Sequence, residues 1–241
     1  MTDDVPAPPG QDVLDALKNV STPTLCTQLL KRGLRNTFLV GVRPLAPDSA
    51  AFAAPAFTLR YIPAREDIAV PALWGDPEYP QRKAIETVPE GAALVVDAMG
   101  DVRAGAAGDI LIRRLQVRGV SAIVTDGALR DTPILAKMDF PVFCAAAAAP
   151  ASVATLFAVD LQRPIGCAGV AIFPGDILVG DAEGVVVVPR ALAEEVALDG
   201  TEQERLERFV HTRIEQGHPT FGTYPPNAET LAAYAAWTED D

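Results

Sequence analysis

Histidine and cysteine, the residue types that most often hold zinc, are both scarce in this 241-residue chain. The histidines are His211 and His218, and the cysteines are Cys26, Cys144 and Cys167. Because the cysteines lie far apart and form no Cys-x-x-Cys motif, neither a disulfide framework nor a structural zinc site is expected. Two histidines also exclude a multi-histidine zinc site. We therefore expect free thiols that behave as small hydrophobic side chains.

Positive charge is scarce as well, since 20 lysines and arginines stand against 32 aspartates and glutamates, for a formal net charge of −12. An acidic surface repels phosphate backbones and anionic lipid, so neither nucleic acid nor a membrane is an expected partner. No apolar run reaches the ~20 residues that span a bilayer, and the acidic, proline-containing start is unlike a secretory signal. We therefore expect a cytoplasmic protein.

Lysine is rare enough to restrict the chemistry. The chain has only Lys18, Lys31, Lys83 and Lys137, whereas a Schiff-base mechanism needs a buried lysine. Lys137 lies near the motifs described below, but surface placement explains it better. The sequence thus favours a mechanism without a covalent lysine intermediate.

Apolar residues are plentiful at 49%, but aromatics make up only 6%, so the expected core consists of Val, Ile, Leu and Ala. Helical apolar spacing alternates with short β-segments and Pro- or Gly-containing turns, which predicts an α/β fold with a mixed sheet. The predicted helices span about 12–20, 24–31, 79–85, 109–118 and 191–215. The predicted strands span about 51–62, 92–97, 120–125, 140–144, 177–179 and 185–188.

The chain shows no internal repeat and no break in composition, which indicates a single domain. We expect a flexible arm at 1–12, one catalytic domain at 13–215 and a C-terminal extension at 216–241. A long loop at 63–80 is expected to be functional or to cover something, because loops of this length are uncommon.

Two adjacent loops carry the residues best suited to chemistry. Gly108-Asp109-Ile110-Leu111 stands at a predicted helix start, where free N–H groups suit a carboxylate and glycine permits close approach. Asp126-Gly-Ala-Leu-Arg130-Asp131 follows a predicted buried strand, where the ligand-binding loops of α/β proteins tend to lie. Arg130 is suited to hold a carboxylate or an enolate oxygen, and Asp109 and Asp131 are hard donors for Mg²⁺ or Mn²⁺.

Each of these features also has a purely structural interpretation. An Asp-Gly pair after a strand is typical of a turn, an Arg-Asp pair is usually a solvated surface feature, and Asp109 at a helix start stabilises the helix dipole. The combination of two carboxylates, one guanidinium and a helix N-terminus is more specific than any one part.

Two stretches resemble the RraA-like family, which includes class II 4-hydroxy-4-methyl-2-oxoglutarate aldolases and regulators of ribonuclease activity. Residues 105–131, GAAGDILIRRLQVRGVSAIVTDGALRD, are similar to its core signature. Residues 174–189, PGDILVGDAEGVVVVP, are similar to its second signature. The resemblance covers residues 15–215, while the loop 62–82 and the tail after 216 look like features of a longer subgroup to which no function is carried over.

The resemblance implies a three-layer ββα fold of the swivelling type, assembled as a ring-shaped trimer or a hexamer with sites between subunits. It implies that the backbone of residues 108–111 holds the carboxylate end of the substrate and that Arg130 contacts the carboxylate and the keto oxygen. It also implies that Asp131 binds the divalent metal and that Asp109 holds a metal-bound water. A neighbouring subunit contributes an acidic residue in these aldolases, and Glu204 and Glu207 are candidates for it here, between which no motif decides.

The leading hypothesis is therefore a metal-dependent lyase that cleaves a 4-hydroxy-2-oxo acid to pyruvate or a similar 2-oxo acid. Decarboxylation of oxaloacetate is expected beside it, because loss of CO₂ produces the same enolate. Two alternatives stay open: a non-catalytic regulator that binds a ribonuclease assembly, and a lyase or hydratase for another 2-oxo acid derived from a sugar acid. The cluster of Asp109, Arg130 and Asp131 favours an enzyme, because a pure binding protein needs no metal site.

Overall fold

The computed structural model describes residues 9–238 as a mixed α/β fold built on an eight-stranded sheet. None of the helices in this part of the chain is long and apolar enough to cross a membrane. The helices are α1 (Gln11–Lys18), α2 (Thr22–Lys31), α3 (Pro80–Thr87), α4 (Asp109–Val117), α5 (Thr132–Leu135), α6 (Ala193–Glu215), α7 (Thr220–Thr223, one distorted turn) and α8 (Ala228–Ala236). The strands are β1 (Arg43–Pro44), β2 (Phe52–Pro63), β3 (Ala93–Asp97), β4 (Ala122–Thr125), β5 (Ala128–Leu129), β6 (Val142–Cys144), β7 (Ala146–Ala147), β8 (Leu156–Leu161), β9 (Ile165–Cys167), β10 (Val170–Ile172), β11 (Ile177–Gly180) and β12 (Val185–Val188).

The long strand β2 joins two parts of the sheet, whose order is β1-β6-β4-β3-β2-β11-β12. Its first residues pair antiparallel with β11, which forms a hairpin with β12. Its later residues pair in parallel with β3 and antiparallel with β8. Strands β3, β4 and β6 run parallel beside it, so the predicted α/β fold with a mixed sheet is confirmed.

The core is divided into layers by the alternation of side chains along the strands. From β3, Leu94 and Val96 pack against α3 and α4, while Ala93 and Val95 face the β9–β10 hairpin and β12. Strand β12 alternates in the same way between that middle cluster and a third cluster formed with α1, α2 and α6. Helices therefore cover the outer faces of two β layers that enclose the middle cluster.

Local signals set the ends of the helices near these layers. The Ser21 hydroxyl accepts a hydrogen bond from the N–H of Thr24 at 3.4 Å, and Pro23 lies in the first turn of α2. Gly33 follows the helix with a φ of +84°, a conformation that favours glycine. Ser21 and Gly33 thus mark the two ends of the predicted helix, although α2 begins two residues earlier than the sequence pattern indicated.

Strand β8 was missed by the sequence patterns, and so was the short pairing of β5 with β7. Strand β8 pairs only with the second half of β2, about a hundred residues away in the sequence. Such a strand is specified by its long-range partner more than by its own residues. The predicted loop 63–80 is also more ordered than expected, because it contains a 3₁₀ helix at Pro71–Gly75.

The two ends of the chain were predicted to be an arm and an extension, and these boundaries stay predictions. Helix α1 begins at Gln11, within the predicted arm, and residues 1–8 lie outside the described part of the chain. In the extension, α8 packs on α6, because the ring of Phe209 lies 5.6 Å from that of Tyr234 and 5.7 Å from that of Trp237. Residues 239–241 also lie outside the described part.

All three cysteines are free, as the sequence predicted. Cys144 and Cys167 are buried and Cys26 is half-buried. Burial raises the pKa of the Cys144 thiol to about 11 and also raises that of Cys167. Such thiols stay protonated at neutral pH and serve as core residues.

Candidate active site

An extended segment, residues 105–107, forms the floor of the candidate site. It lies between β5 and residues 150–151, with isolated β-bridges on both sides. Because the segment is hydrogen-bonded along both edges, it fixes the position of the start of α4, which follows it directly. Three backbone hydrogen bonds hold it: Ala106 N to Ala128 O at 2.8 Å, Arg130 N to Ala107 O at 2.9 Å, and Gly105 N to Pro150 O at 2.9 Å.

The N-terminus of α4 follows directly, as the sequence predicted. Gly108 is the N-cap and makes no side-chain cap. The carboxylate of Asp109 accepts the N–H of Ile110 at 2.8 Å, which stabilises the first turn. The partial positive charge of this helix end favours an anion beside it.

Asp131 reaches the same helix end from the other loop. Its Oδ2 accepts the backbone N–H of Asp109 at 3.4 Å. Its backbone has φ 57° and ψ 29°, the left-handed region that aspartate tolerates better than most residues. The carboxylate is solvent-exposed, so its remaining lone pairs are open to a ligand.

Arg130 packs its side chain over Gly105. A Cβ at Gly105 would lie 2.8 Å from the backbone nitrogen of Arg130, so no larger residue fits there without movement. The Nε of Arg130 is buried and has no hydrogen-bond partner within residues 9–238. The side chain is partly exposed and lines the cleft, so the guanidinium group is available to an anionic ligand.

These residues line a single cleft of about 430 Å³, a volume suited to a small molecule. The structure therefore brings together Arg130, Asp131 and the segment Gly108–Leu111, for which the sequence predicted substrate-binding, catalytic or metal-binding roles. Their chemical roles stay predictions. The sequence patterns missed three further lining residues on the loop 62–82, whose unusual length was the only signal: Trp74, Gln81 and Arg82.

Gln81 and Tyr61 hold the floor of the cleft in place by hydrogen bonds to its backbone. The carbonyl of Ala106 accepts the Nε2 of Gln81 at 2.6 Å and the hydroxyl of Tyr61 at 3.2 Å. Burial raises the pKa of Tyr61, so the hydroxyl remains a donor. Both side chains are buried, and the bonds they make hold the segment 105–107 rigid.

Asp126, which opens the second loop, has a structural role instead. Its buried carboxylate accepts the backbone N–H groups of Ala98 at 2.8 Å, Gly100 at 3.1 Å and Ala168 at 3.0 Å. Burial raises its pKa, against the lowering effect of these N–H donors. Asp126 does not line the cleft. Its position agrees with the structural interpretation of the Asp-Gly pair as part of a turn and not with a role in binding a ligand.

The donor set of the cleft fits a hydrated divalent cation. Asp109 and Asp131 offer hard carboxylate oxygens from adjacent loops, and Mg²⁺ usually keeps several waters beside one or two carboxylates. Within residues 9–238, no three His, Cys, Asp or Glu side chains converge as a metal-binding group. The resemblance implies that a neighbouring subunit adds an acidic residue to such a site.

The two glutamates considered for that role lie on α6, away from the cleft of their own chain. Glu204 accepts the N–H of Ser21 at 3.1 Å and its hydroxyl at 2.7 Å. Glu207 accepts the Nε2 of Gln203 at 2.8 Å. Glu204 thus anchors the start of α2, and a role for either glutamate toward a neighbouring subunit stays a prediction.

The fold and the sequence now define the class of protein. The model of the RraA-like family, described as Aldolase/RraA, matches residues 22–187, more than half of the chain. The chain belongs to the RraA-like family, as the two sequence motifs predicted.

Particular relatives add detail. The "Putative 4-hydroxy-4-methyl-2-oxoglutarate aldolase" of Halalkalibacterium halodurans is 39% identical over 114 residues, which are 47% of this chain and 54% of the relative. The chain thus spans about half the length of this curated relative.

Two solved structures share the fold over most of the chain. Streptomyces coelicolor RraAS2, described as an unusual member of the RNase ES inhibitor RraA protein family, is 33% identical with a TM-score of 0.74, covering 86% of this chain and 99% of that one. An uncharacterized protein from Pseudomonas syringae pv. tomato is 27% identical with a TM-score of 0.77, covering 91% and 100%. These neighbours bear out the fold predicted from the resemblance.

Proposed function

We propose that this protein is a divalent-metal-dependent lyase that cleaves a 4-hydroxy-2-oxo acid by a retro-aldol reaction to pyruvate or a similar 2-oxo acid. The observation that carries the proposal is the convergence of Arg130, Asp109, Asp131 and the N-terminus of α4 on one cleft. Decarboxylation of oxaloacetate is proposed as a second activity, since it passes through the same enolate.

Substrate binding follows from the charges around the cleft. The carboxylate of the 2-oxo acid binds at the N-terminus of α4, over the backbone of residues 108–111. Glycine at position 108 allows this close approach. Arg130 donates to the carboxylate and the keto oxygen through its planar fork of N–H groups.

The chemical step needs stabilised negative charge and a base. Asp131, with Asp109 beside it, would hold the divalent cation, which supplies Lewis-acid polarisation of the keto group when bound. Asp109 holds a water that takes the proton from the 4-hydroxyl group. The C3–C4 bond then breaks, C4 leaves as a carbonyl, and Arg130 stabilises the oxygen of the enolate. Protonation at C3 yields the 2-oxo acid.

Metal-dependent pyruvate release is the direct test. Purified protein with Mg²⁺ or Mn²⁺ is expected to release pyruvate from a 4-hydroxy-2-oxo acid and from oxaloacetate, measured by coupling to NADH oxidation with lactate dehydrogenase. Because the cation contributes several kcal/mol of charge stabilisation, EDTA should lower the rate at least about 100-fold. Added Mn²⁺ should restore it. Release that continues unchanged in EDTA would rule out the metal.

A substitution at Gly108 tests whether the Asp131 carboxylate must stay in place. The Cβ of Gly108→Ala would lie 2.6 Å from Oδ2 of Asp131, although the φ of −125° suits alanine. The variant should fold normally but bind Mn²⁺ about 10-fold more weakly or worse, by calorimetric titration. The control is Gly166→Ala, whose Cβ would meet no atom within 4 Å. Equal Mn²⁺ affinity in the two variants would contradict the assignment.

Two other functions are supported by specific observations. The description of RraAS2 as a member of an RNase inhibitor family supports a regulator that binds a ribonuclease assembly. The contribution of residues 74, 81 and 82 to the cleft supports a lyase or hydratase for a different 2-oxo acid. The pyruvate assay separates these candidates. A regulator would leave every 2-oxo acid intact, whereas a lyase or hydratase of different specificity would convert some of them and leave the others intact.

We also propose a ring-shaped homotrimer or a hexamer. Ile110, at the edge of the cleft, is 79% exposed, and Ile134, three residues beyond Asp131, is 53% exposed. Subunit contacts beside the cleft would bury these apolar side chains. Such contacts would also allow a neighbouring subunit to supply an acidic group.

A further inference from the structure

The cleft contains a second cationic side chain, Arg82, which the proposed mechanism does not use. Arg82 is half-buried in the first turn of α3 and lines the cleft together with Trp74. Its Nε is buried without a hydrogen-bond partner, and no ion pair to it is found within residues 9–238. In a chain with a net charge of −12, a cation placed in a cleft without a carboxylate partner is suited to an external anion.

The position of Arg82 is fixed by its neighbours on α3. Pro80 is the first residue of the helix, and the N–H of Lys83 donates to the carbonyl of Tyr79 at 2.9 Å. Gln81 is buried and donates to the carbonyl of Ala106 at 2.6 Å. The backbone of Arg82 is thereby tied to the floor of the cleft.

Arg82 and Arg130 line the same cleft, together with Trp74 and the N-terminus of α4. They are held by different bonds to its floor: the backbone N–H of Arg130 donates to the carbonyl of Ala107, and Gln81, the neighbour of Arg82, donates to the carbonyl of Ala106. The cleft thus contains two separately anchored guanidinium groups.

We propose that Arg82 determines specificity by binding a distal carboxylate of the substrate, while Arg130 and the N-terminus of α4 bind the 2-oxo acid end. This inference rests on the proposed function for the identity of the first anchor. The indole ring of Trp74 covers the carbon chain between the two carboxylates. The loop 62–82 accordingly selects dicarboxylic 2-oxo acids over monocarboxylic ones of equal chain length.

The test compares two ligands that differ only in the distal group. With Mn²⁺ present, the full-length protein is titrated calorimetrically with 2-oxoglutarate and with 2-oxopentanoate, neither of which carries a cleavable 4-hydroxyl. Arg82→Gln should weaken 2-oxoglutarate binding about 10- to 100-fold, as expected for the loss of a charge-assisted hydrogen bond. Binding of 2-oxopentanoate should change by less than about 3-fold. Arg82→Lys should recover part of the lost affinity, because it keeps the charge without the planar fork.

Lys83→Gln is the matched control, because it removes one positive charge from the next residue of α3. Lys83 is exposed and pairs with Glu78 at 2.7 Å, outside the cleft. This variant should bind both ligands like the parent protein. If Arg82→Gln weakened the binding of both ligands equally, or weakened neither, the proposed role of Arg82 would be wrong.

Failure of this inference can be told apart from failure of the proposed function. Suppose that Arg82→Gln loses affinity only for 2-oxoglutarate, and that the parent protein cleaves no 4-hydroxy-2-oxo acid. The specificity role of Arg82 then stands and the lyase proposal fails. If the parent protein cleaves 4-hydroxy-2-oxoglutarate and 4-hydroxy-2-oxopentanoate alike, and Arg82→Gln reduces both rates alike, the lyase proposal stands and the specificity role fails.

Discussion

Asp131→Asn is expected to reduce pyruvate release about 1,000-fold while leaving the fold intact. Asparagine has nearly the same shape as aspartate and also tolerates the left-handed backbone found here. The substitution therefore removes the negative charge that holds the cation and changes little else. Loss of about 4 kcal/mol of transition-state stabilisation corresponds to this factor. The measurements are kcat with saturating substrate and Mn²⁺ affinity by calorimetry.

Two further variants exclude a merely structural effect. Asp139→Asn makes the same chemical change at an exposed position outside the cleft and should keep full activity. Asp131→Gly also removes the carboxylate but relaxes the left-handed backbone, so it should be inactive and at least as stable thermally as the parent protein. An Asp131→Asn variant with near-normal kcat and Mn²⁺ affinity would refute the proposed metal site.

Asp126→Ala is expected to produce the largest loss of stability, roughly 3–5 kcal/mol in the free energy of unfolding. The backbone N–H groups of Ala98, Gly100 and Ala168 would lose their acceptor. Each buried unsatisfied donor costs about 1–3 kcal/mol, less where water can enter. The measurement is urea denaturation followed by circular dichroism, with the shift in midpoint converted through the slope.

Asp76→Ala is the comparison for this prediction, because Asp76 accepts a single N–H, that of Glu78 at 2.8 Å, in an exposed turn. Water replaces the lost acceptor there, so the free energy of unfolding should fall by less than about 1 kcal/mol. Similar losses in the two variants would mean that Asp126 is not the anchor described above.

The reason for this large effect is that Asp126 fixes unusual backbone. Met99 and Ala168 have φ values of 58° and 50°, which side chains other than glycine rarely adopt. Asp97 lies beside Asp126 and accepts the N–H groups of Met99 at 2.9 Å and Gly166 at 3.3 Å. The two carboxylates thus fasten the β9–β10 hairpin to the ends of β3 and β4. Inward-pointing N–H groups around an anion compensate the backbone strain.

Several features were determined by the sequence alone, because they depend on residues close together in the chain. The cap and stop of α2, the start of α4 at Asp109 and the buried strands β3 and β4 follow from periodicity and turn residues. The residues Gly108–Leu111 and Arg130-Asp131 could be singled out because each group follows a recognisable local element, and the two motifs were sufficient to identify the family.

Only the tertiary structure decided which residues share the cleft with them. Trp74 and Arg82 line it as well. Arg82 is held there by its neighbour Gln81, which donates to the carbonyl of Ala106, a contact across 25 residues that no local pattern encodes. The same holds for Asp126, whose sequence context indicates only a turn. Its carboxylate accepts N–H groups from residues 28 and 42 positions away in the sequence. Local geometry follows from covalent structure and side-chain spacing, whereas partners distant in the sequence are selected by the packing of the whole core.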